Sequence, residues 1–191
     1  DDYETLDLFG PIEVLGRLQN EFNPQFYSQN GGTIMSSHQV PVVTKPFREI
    51  NFSSYVLLVP GGLGTRNFVK DKSFIRDLKT IAENAEYILT VCTGSILLSK
   101  TGMLDGRRAT SNKRAFMWTG KESSDVQWIK KARWVRSGNI YTSSGVSAGI
   151  DMTLGFVSDL LGRDVAVQQS REMEYDWKDD PVWDPFSELY P

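Results

Sequence analysis

Thiols and imidazoles are almost absent from this chain: its 191 residues hold one cysteine, Cys92, and one histidine, His38. A single cysteine excludes a disulfide framework within the chain and fits a reducing compartment. It also leaves Cys92 without a resolving thiol of its own chain. One cysteine and one histidine cannot make a metal-ligand cluster of the usual spacing, so neither a metal nor another cofactor is expected. Cations are not in excess: 21 Lys plus Arg stand against 24 Asp plus Glu, for a net charge of −3. No broad basic face follows, and nucleic acid is not an expected partner. No apolar stretch approaches the length of a membrane span and no signal-peptide pattern opens the sequence. A cytoplasmic protein away from the membrane is the expectation. The length suits one domain able to bury most of its apolar surface without staples.

What the chain does have is an alternation of strand-like and helix-like runs. Residues 6–18 read as a helix with the Gly10-Pro11 pair near its start, where proline is tolerated. Residues 24–29 and 39–44 read as short strands around a Gly31-Gly32 turn. Tyr55-Val-Leu-Leu-Val59 is a continuous apolar run stopped by Pro60-Gly61-Gly62, as a strand buried on both faces would be. Helical spacing over 68–84 is followed by a strand over 87–91 and a helix over 96–101 that stops at Gly102. Strands over 134–136 and 140–142 flank the turn Ser137-Gly138-Asn139, and 148–161 is a strongly apolar final helix capped by Gly162. Together these predict an α/β fold: a doubly wound, mostly parallel sheet between helices, in one domain over 1–171. Residues 172–191 are rich in acid, proline and aromatics, and are expected to lie as a tail over the domain or a partner subunit. A doubly wound sheet normally starts with a central strand, whereas Asp1-Asp2-Tyr3-Glu4 leads straight into a helix. The first strand is therefore expected to be missing from this sequence.

Cys92 sits at the bend of Tyr87-Ile-Leu-Thr-Val-Cys-Thr-Gly-Ser-Ile-Leu-Leu-Ser99, where a β-like run breaks and a helix-like run begins. Such an elbow aims helix-start N–H groups near the sulfur, although free cysteine is more often an inert buried hydrophobe. A thiol of ordinary pKa, about 8.5, is only a few per cent ionised at pH 7. The helix start alone is expected to bring it to about half ionised. An ionised carboxylate beside the sulfur would oppose this, so Asp7, if it touches Cys92, is expected to share one proton with it. Taken alone, an aspartate near a helix start reads as a cap or dipole partner. Pro60-Gly61-Gly62 reads equally as a tight turn and as the strand end where open α/β sheets place ligands. Gly61-Gly62-Leu63-Gly64 lacks the lysine and hydroxyl of a P-loop. His38 reads as an exposed loop residue, and the pairs Arg107-Arg108 and Lys113-Arg114 as a solvated face.

Three segments in order, LDLFGPIEVLG (6–16), VLLVPGG (56–62) and VCTGSILLSKTGMLDGRRAT (91–110), resemble the ThiJ/PfpI superfamily, of class I glutamine amidotransferase-like fold. GVSAGIDMTLGFVSDLLG (145–162) resembles that family's last core helix. The resemblance implies a flavodoxin-like sheet and a homodimer. Asp7 in Leu-Asp-Leu-x-Gly-Pro, with Thr93-Gly94-Ser95 after the cysteine, looks like the isonitrile hydratase branch. There the cysteine attacks the terminal carbon of an isonitrile, and the thioimidate is hydrolysed to an N-substituted formamide. The resemblance casts Cys92 as nucleophile, Asp7 as the proton-handling group, and the Gly62 and Thr93 N–H groups as an oxyanion-hole-like pair. Asn112 stands where relatives often carry a histidine; it orients substrate or merely caps a turn. Without that histidine, glyoxalase, deglycase or amidase-like chemistry is the weaker expectation. The remaining alternative is a redox sensor or ligand-binding module without turnover.

Overall fold

The computed structural model describes residues 1–51 and 53–190. Along them run α1 (Thr5–Gly16), β1 (Tyr27–Ser28), β2 (Gly32–Met35), β3 (Pro41–Pro46), a 3-10 turn (Phe47–Glu49), β4 (Val56–Val59), α2 (Thr65–Phe68), α3 (Lys72–Glu83), β5 (Tyr87–Thr90), α4 (Gly94–Lys100), β6 (Arg108–Ala109), α5 (Phe116–Glu122), β7 (Gln127–Trp128), β8 (Trp134–Ser137), β9 (Ile140–Ser143), α6 (Ala148–Leu161) and α7 (Arg163–Glu172). A four-stranded sheet in the order β4-β5-β9-β8 forms the centre. β4, β5 and β9 are parallel, and β8 is the antiparallel hairpin partner of β9.

The apolar runs are continuous because both faces of this sheet are covered. Leu89, Val91 and Tyr141 turn one way, onto Val14 and Leu15 of α1 and Met152 and Phe156 of α6. Ile88 and Ile140 turn the other way, onto Ala82 of α3 and Leu98 of α4. The period-two alternation of a strand thus feeds two cores, which defines a mixed α/β domain with a mostly parallel sheet. α1 and α6 meet without room for a side chain: a Cβ on Gly10 would lie 2.8 Å from Ile150 Cγ1, and one on Gly149 would lie 2.9 Å from Val91 Cγ1.

Several elements depart from the sequence reading. Pro11 lies inside α1, beyond its first turn, where it removes a main-chain donor; packing against α6 carries the helix through. The hairpin partner of β3 is β2, where the sequence suggested a turn. Gly31 (φ 74°) makes that turn, and β2 begins at Gly32. Residues 68–84 are not one helix, because Asp71 accepts the Ser73 and Phe74 N–H groups at 2.9 and 3.0 Å and starts α3 afresh. α6 is not the final helix, since the chain reverses at Gly162 (φ 101°) and α7 folds back on α6.

A second sheet, β1-β3-β2, faces the free edge of β4. The segment 2–4 bridges the two: Tyr3 pairs with Ser36 on one side and Gly62 on the other, the Asp2 N–H donates to Met35 O at 2.8 Å and the Glu4 N–H to Gly61 O at 2.9 Å. Along the rest of that gap lies a cavity of about 870 Å³ lined by Leu8, Ile12, Leu15, Phe26, Val56 and Leu58. No helix among the described residues is long and apolar enough to cross a membrane.

Candidate active site

The C-terminal ends of β4, β5 and β9 are where ligands bind in sheets of this kind, and Cys92 sits just past β5. Its φ is 58°, a left-handed conformation that costs a side-chain-bearing residue on the order of 1 kcal/mol or more. Both polar atoms of its main chain are tied down. Its N–H donates to Ser144 O at 3.1 Å, and its carbonyl accepts Ser95 Oγ at 3.0 Å and Ser111 Oγ at 2.9 Å. α4 starts hard against β4: a Cβ on Gly94 would lie 2.2 Å from Val59 O. Only glycine permits this approach.

Asp7 belongs to the first turn of α1 but does not cap it. Its carboxyl crosses to the β4 loop, where Oδ2 accepts the Gly61 N–H at 3.0 Å. Oδ1 is buried with no hydrogen-bond partner of good geometry among the described residues. Burial pushes the Asp7 pKa up to about 7, with the Glu4 charge adding to the rise. The Gly61 N–H, the Cys92 thiol and the Val146 N–H hold it down. Gly61 makes the convergence possible, since a Cβ there would lie 2.6 Å from Thr93 N and 2.9 Å from Asp7 Oδ2.

Cys92 is 6% exposed. Burial first, then the Asp7 charge, push its thiol up to about 12. The Thr93 N–H, the Asn112 side chain and the Thr93 hydroxyl pull the other way and do not prevail. This corrects the expectation of a half-ionised sulfur: desolvation outweighs a short helix start. At neutral pH the pair is a thiol beside a carboxyl that titrates near 7.

The remaining candidates gather around this pair. The Gly62 N–H donates to Thr93 Oγ1 at 3.1 Å, so it is already used in fixing the Thr93 side chain. Thr65 Oγ1 donates to the same oxygen at 3.0 Å. Asn112 faces the thiol with its amide while its Oδ1 accepts the Ala115 N–H at 3.1 Å and closes the turn ahead of α5. Asn112 Nδ2 would lie 2.2 Å from a Cβ on Gly145. His38 is exposed in its loop, with Nδ1 3.0 Å from Thr5 Oγ1 and 3.6 Å from Glu4. Lys113 contradicts its reading as part of a solvated face. It is buried, with Nζ 3.2 Å from Asp184 Oδ2, a partner 71 residues away that no local pattern reveals.

A buried cysteine on a left-handed strand-to-helix turn, at the carboxyl edge of a mostly parallel sheet and beside a buried carboxyl, gives a mixed α/β domain with an elbow-like site. The model of the DJ-1/PfpI family matches residues 1–159, and the chain belongs to that family. It is 30% identical over 174 residues to an isonitrile hydratase of Pseudomonas putida, covering 90% of this chain and 74% of that one. It is 27% identical over 175 residues to the HTH-type transcriptional regulator CdhR of Pseudomonas aeruginosa, covering 89% of this chain and 51% of that one. The crystal structure of a ThiJ/PfpI family protein from Pseudomonas syringae superposes with a TM-score of 0.80 at 28% identity, over 96% of this chain and 74% of that one.

Proposed function

We propose that this chain is a cysteine-dependent hydratase that converts a small isonitrile to the N-substituted formamide. The observation that carries the reading is the pair itself: a protonated thiol facing a carboxyl whose pKa is about 7, with the only histidine of the chain in an exposed loop elsewhere. An isonitrile carbon takes both a nucleophile and a proton on the same atom, so it needs one sulfur and one acid/base group side by side.

The Asp7 carboxylate accepts the thiol proton as the Cys92 sulfur bonds to the terminal carbon. The electron pair released on that carbon takes the proton back from Asp7, giving a thioimidate, R–N=CH–S–Cys92. Water then adds to the thioimidate carbon, losing a proton to Asp7 as the C=N pair moves to nitrogen, and nitrogen takes that proton. Asp7 next removes the hydroxyl proton, the C=O bond forms, the C–S bond breaks and the departing sulfur is reprotonated. The sum is R–NC plus water giving R–NH–CHO. The Thr93 N–H beside the sulfur stabilises the transient thiolate, and Asn112 orients the substrate. In the first addition charge develops on carbon rather than oxygen. That suits a site whose Gly62 N–H is engaged by Thr93.

The test is formamide production from an aromatic isonitrile. Cys92→Ala is expected to abolish it, and Asp7→Asn to lower it by roughly 100-fold or more, the usual worth of an acid/base group. Wild-type turnover by Cys92→Ala overturns the proposal. Lactate from methylglyoxal with no formamide from isonitriles would replace it with glyoxalase-type chemistry.

A further inference from the structure

The tail beyond α7 is bound to the domain at two buried charges, and each leads to one polar atom of the Cys92 main chain. On the first path, Pro181 O accepts the Arg133 N–H at 2.7 Å, Arg133 O accepts the Ser144 N–H at 2.8 Å, and Ser144 O accepts the Cys92 N–H at 3.1 Å. Asp151 secures this path from below. Its Oδ2 meets the Arg133 guanidinium at 2.6 Å, and its Oδ1 accepts the Tyr175 hydroxyl at 3.1 Å and the Lys178 N–H at 3.0 Å, both from the tail. On the second path, Asp184 of the tail pairs with Lys113, whose Nζ also donates to Thr110 Oγ1 at 2.7 Å, Ser111 O at 3.2 Å and Ala132 O at 3.0 Å. Ser111 Oγ then donates to Cys92 O at 2.9 Å. Between Ser111 and Lys113 stands Asn112, which faces the thiol.

We infer that the segment 175–187 is a clamp that positions the nucleophile, with Asp184 and Lys113 as positioning residues for Cys92. A left-handed cysteine backbone persists only where its surroundings over-determine it; Ser95 Oγ holds the carbonyl from within the elbow, and the other two restraints, Ser144 O on the N–H and Ser111 Oγ on the carbonyl, start from the tail. Burial of the Lys113–Asp184 pair gives the clamp its specificity. A free Lys113 ammonium left in that pocket would be an uncompensated buried charge, so the Ser111-Asn112 loop holds its place only while Asp184 is docked. The inference deepens the proposed function and rests on its choice of Cys92 as the reacting group, not on the isonitrile.

The experiment compares wild type with Asp184→Asn and with the apolar double variant Lys113→Met/Asp184→Leu, which leaves no unpaired charge. For each, the rate of Cys92 alkylation by iodoacetamide is followed against pH, beside formamide turnover and thermal melting. Alkylation needs no isonitrile chemistry, so failure of the functional reading leaves it interpretable. A released elbow exposes the sulfur: alkylation at pH 8 is expected to rise by roughly tenfold or more, and its midpoint to fall toward the ordinary thiol value of about 8.5. Turnover is expected to fall by a similar factor, and a change in melting temperature alone would not produce this opposition. A folded variant with the wild-type alkylation profile overturns the inference. Should neither variant fold, amide exchange on the wild-type chain decides. The Arg133, Ser144 and Cys92 amides are expected to open together, and separate openings overturn the clamp.

Discussion

Asp7 has a different effect on stability than on chemistry, and the sign can be worked out. Its pKa is about 7 in the folded chain against 3.8 for a free side chain, so the fold holds the proton through that window and the unfolded chain does not. Stability therefore falls as pH rises from about 4 to about 7, by an amount on the order of 4 kcal/mol for a shift of this size. The proposed catalysis needs the carboxylate and runs the other way: kcat/KM is expected to rise as Asp7 ionises, with its midpoint near 7. The charged neighbour is Glu4, which pushes that midpoint up, while the Cys92 thiol holds it down. Asp7→Asn should thus melt higher than wild type at pH 8 while losing most of its turnover. Equal melting temperatures at pH 8 would show that the buried carboxyl imposes no such cost. The residue pattern made Cys92 visible as a candidate, because a lone cysteine at a strand-to-helix bend is a local feature, whereas Asp7 taken alone read as a helix cap and became a candidate only through the family resemblance. It misjudged the protonation state of Cys92, since desolvation is a property of what packs around a group, not of its neighbours in sequence.

At the scale of elements, close approach rather than propensity sets the site. α4 begins where its backbone nearly touches β4, so Gly94→Ala forces a Cβ toward Val59 O and must displace the elbow. That substitution is expected to cost about 1–3 kcal/mol by chemical denaturation and to suppress turnover by more than instability explains. Asp71→Ala is the control. It removes the N-cap of α3, away from the site, and should cost about 1 kcal/mol with kcat unchanged. A drop in kcat for Asp71→Ala would contradict the separation of scaffold from site. The strands of the central sheet were legible because cover on both faces leaves an unbroken apolar run, fully buried over most of β5 and half-buried over most of β4. Short or amphipathic pieces were not. β2 owes its place to pairing with β3, α5 begins after a turn in which Asn112 holds the Ala115 N–H, and α7 is fixed by α6. Tertiary partners decide such segments, and no local window contains them.

For the whole molecule, the tail and the sheet act on one point. The parallel strands deliver Cys92, Pro60-Gly61-Gly62 and the β9 end to one edge, and the segment 175–187 reaches the same edge from outside through Pro181 and Asp184. The sequence reading expected the tail to be held by its aromatics, but Trp183, Phe186 and Tyr190 stay exposed, and what the sequence did not reveal is that Asp184 meets Lys113 and Tyr175 meets Asp151. Those pairs join segments that are far apart in the chain. The central claim is that Cys92 adds as a whole thiol across one carbon, with nothing leaving. The measurement that tests it most directly is the intact mass of the protein, quenched in acid after brief exposure to an aromatic isonitrile at a pH above the Asp7 midpoint, where the carboxylate is present to accept the thiol proton. The account predicts a gain equal to the full mass of the isonitrile, mapped to Cys92 and absent in Cys92→Ala. Formamide production without any such adduct, or an adduct that survives in Cys92→Ala, would contradict it.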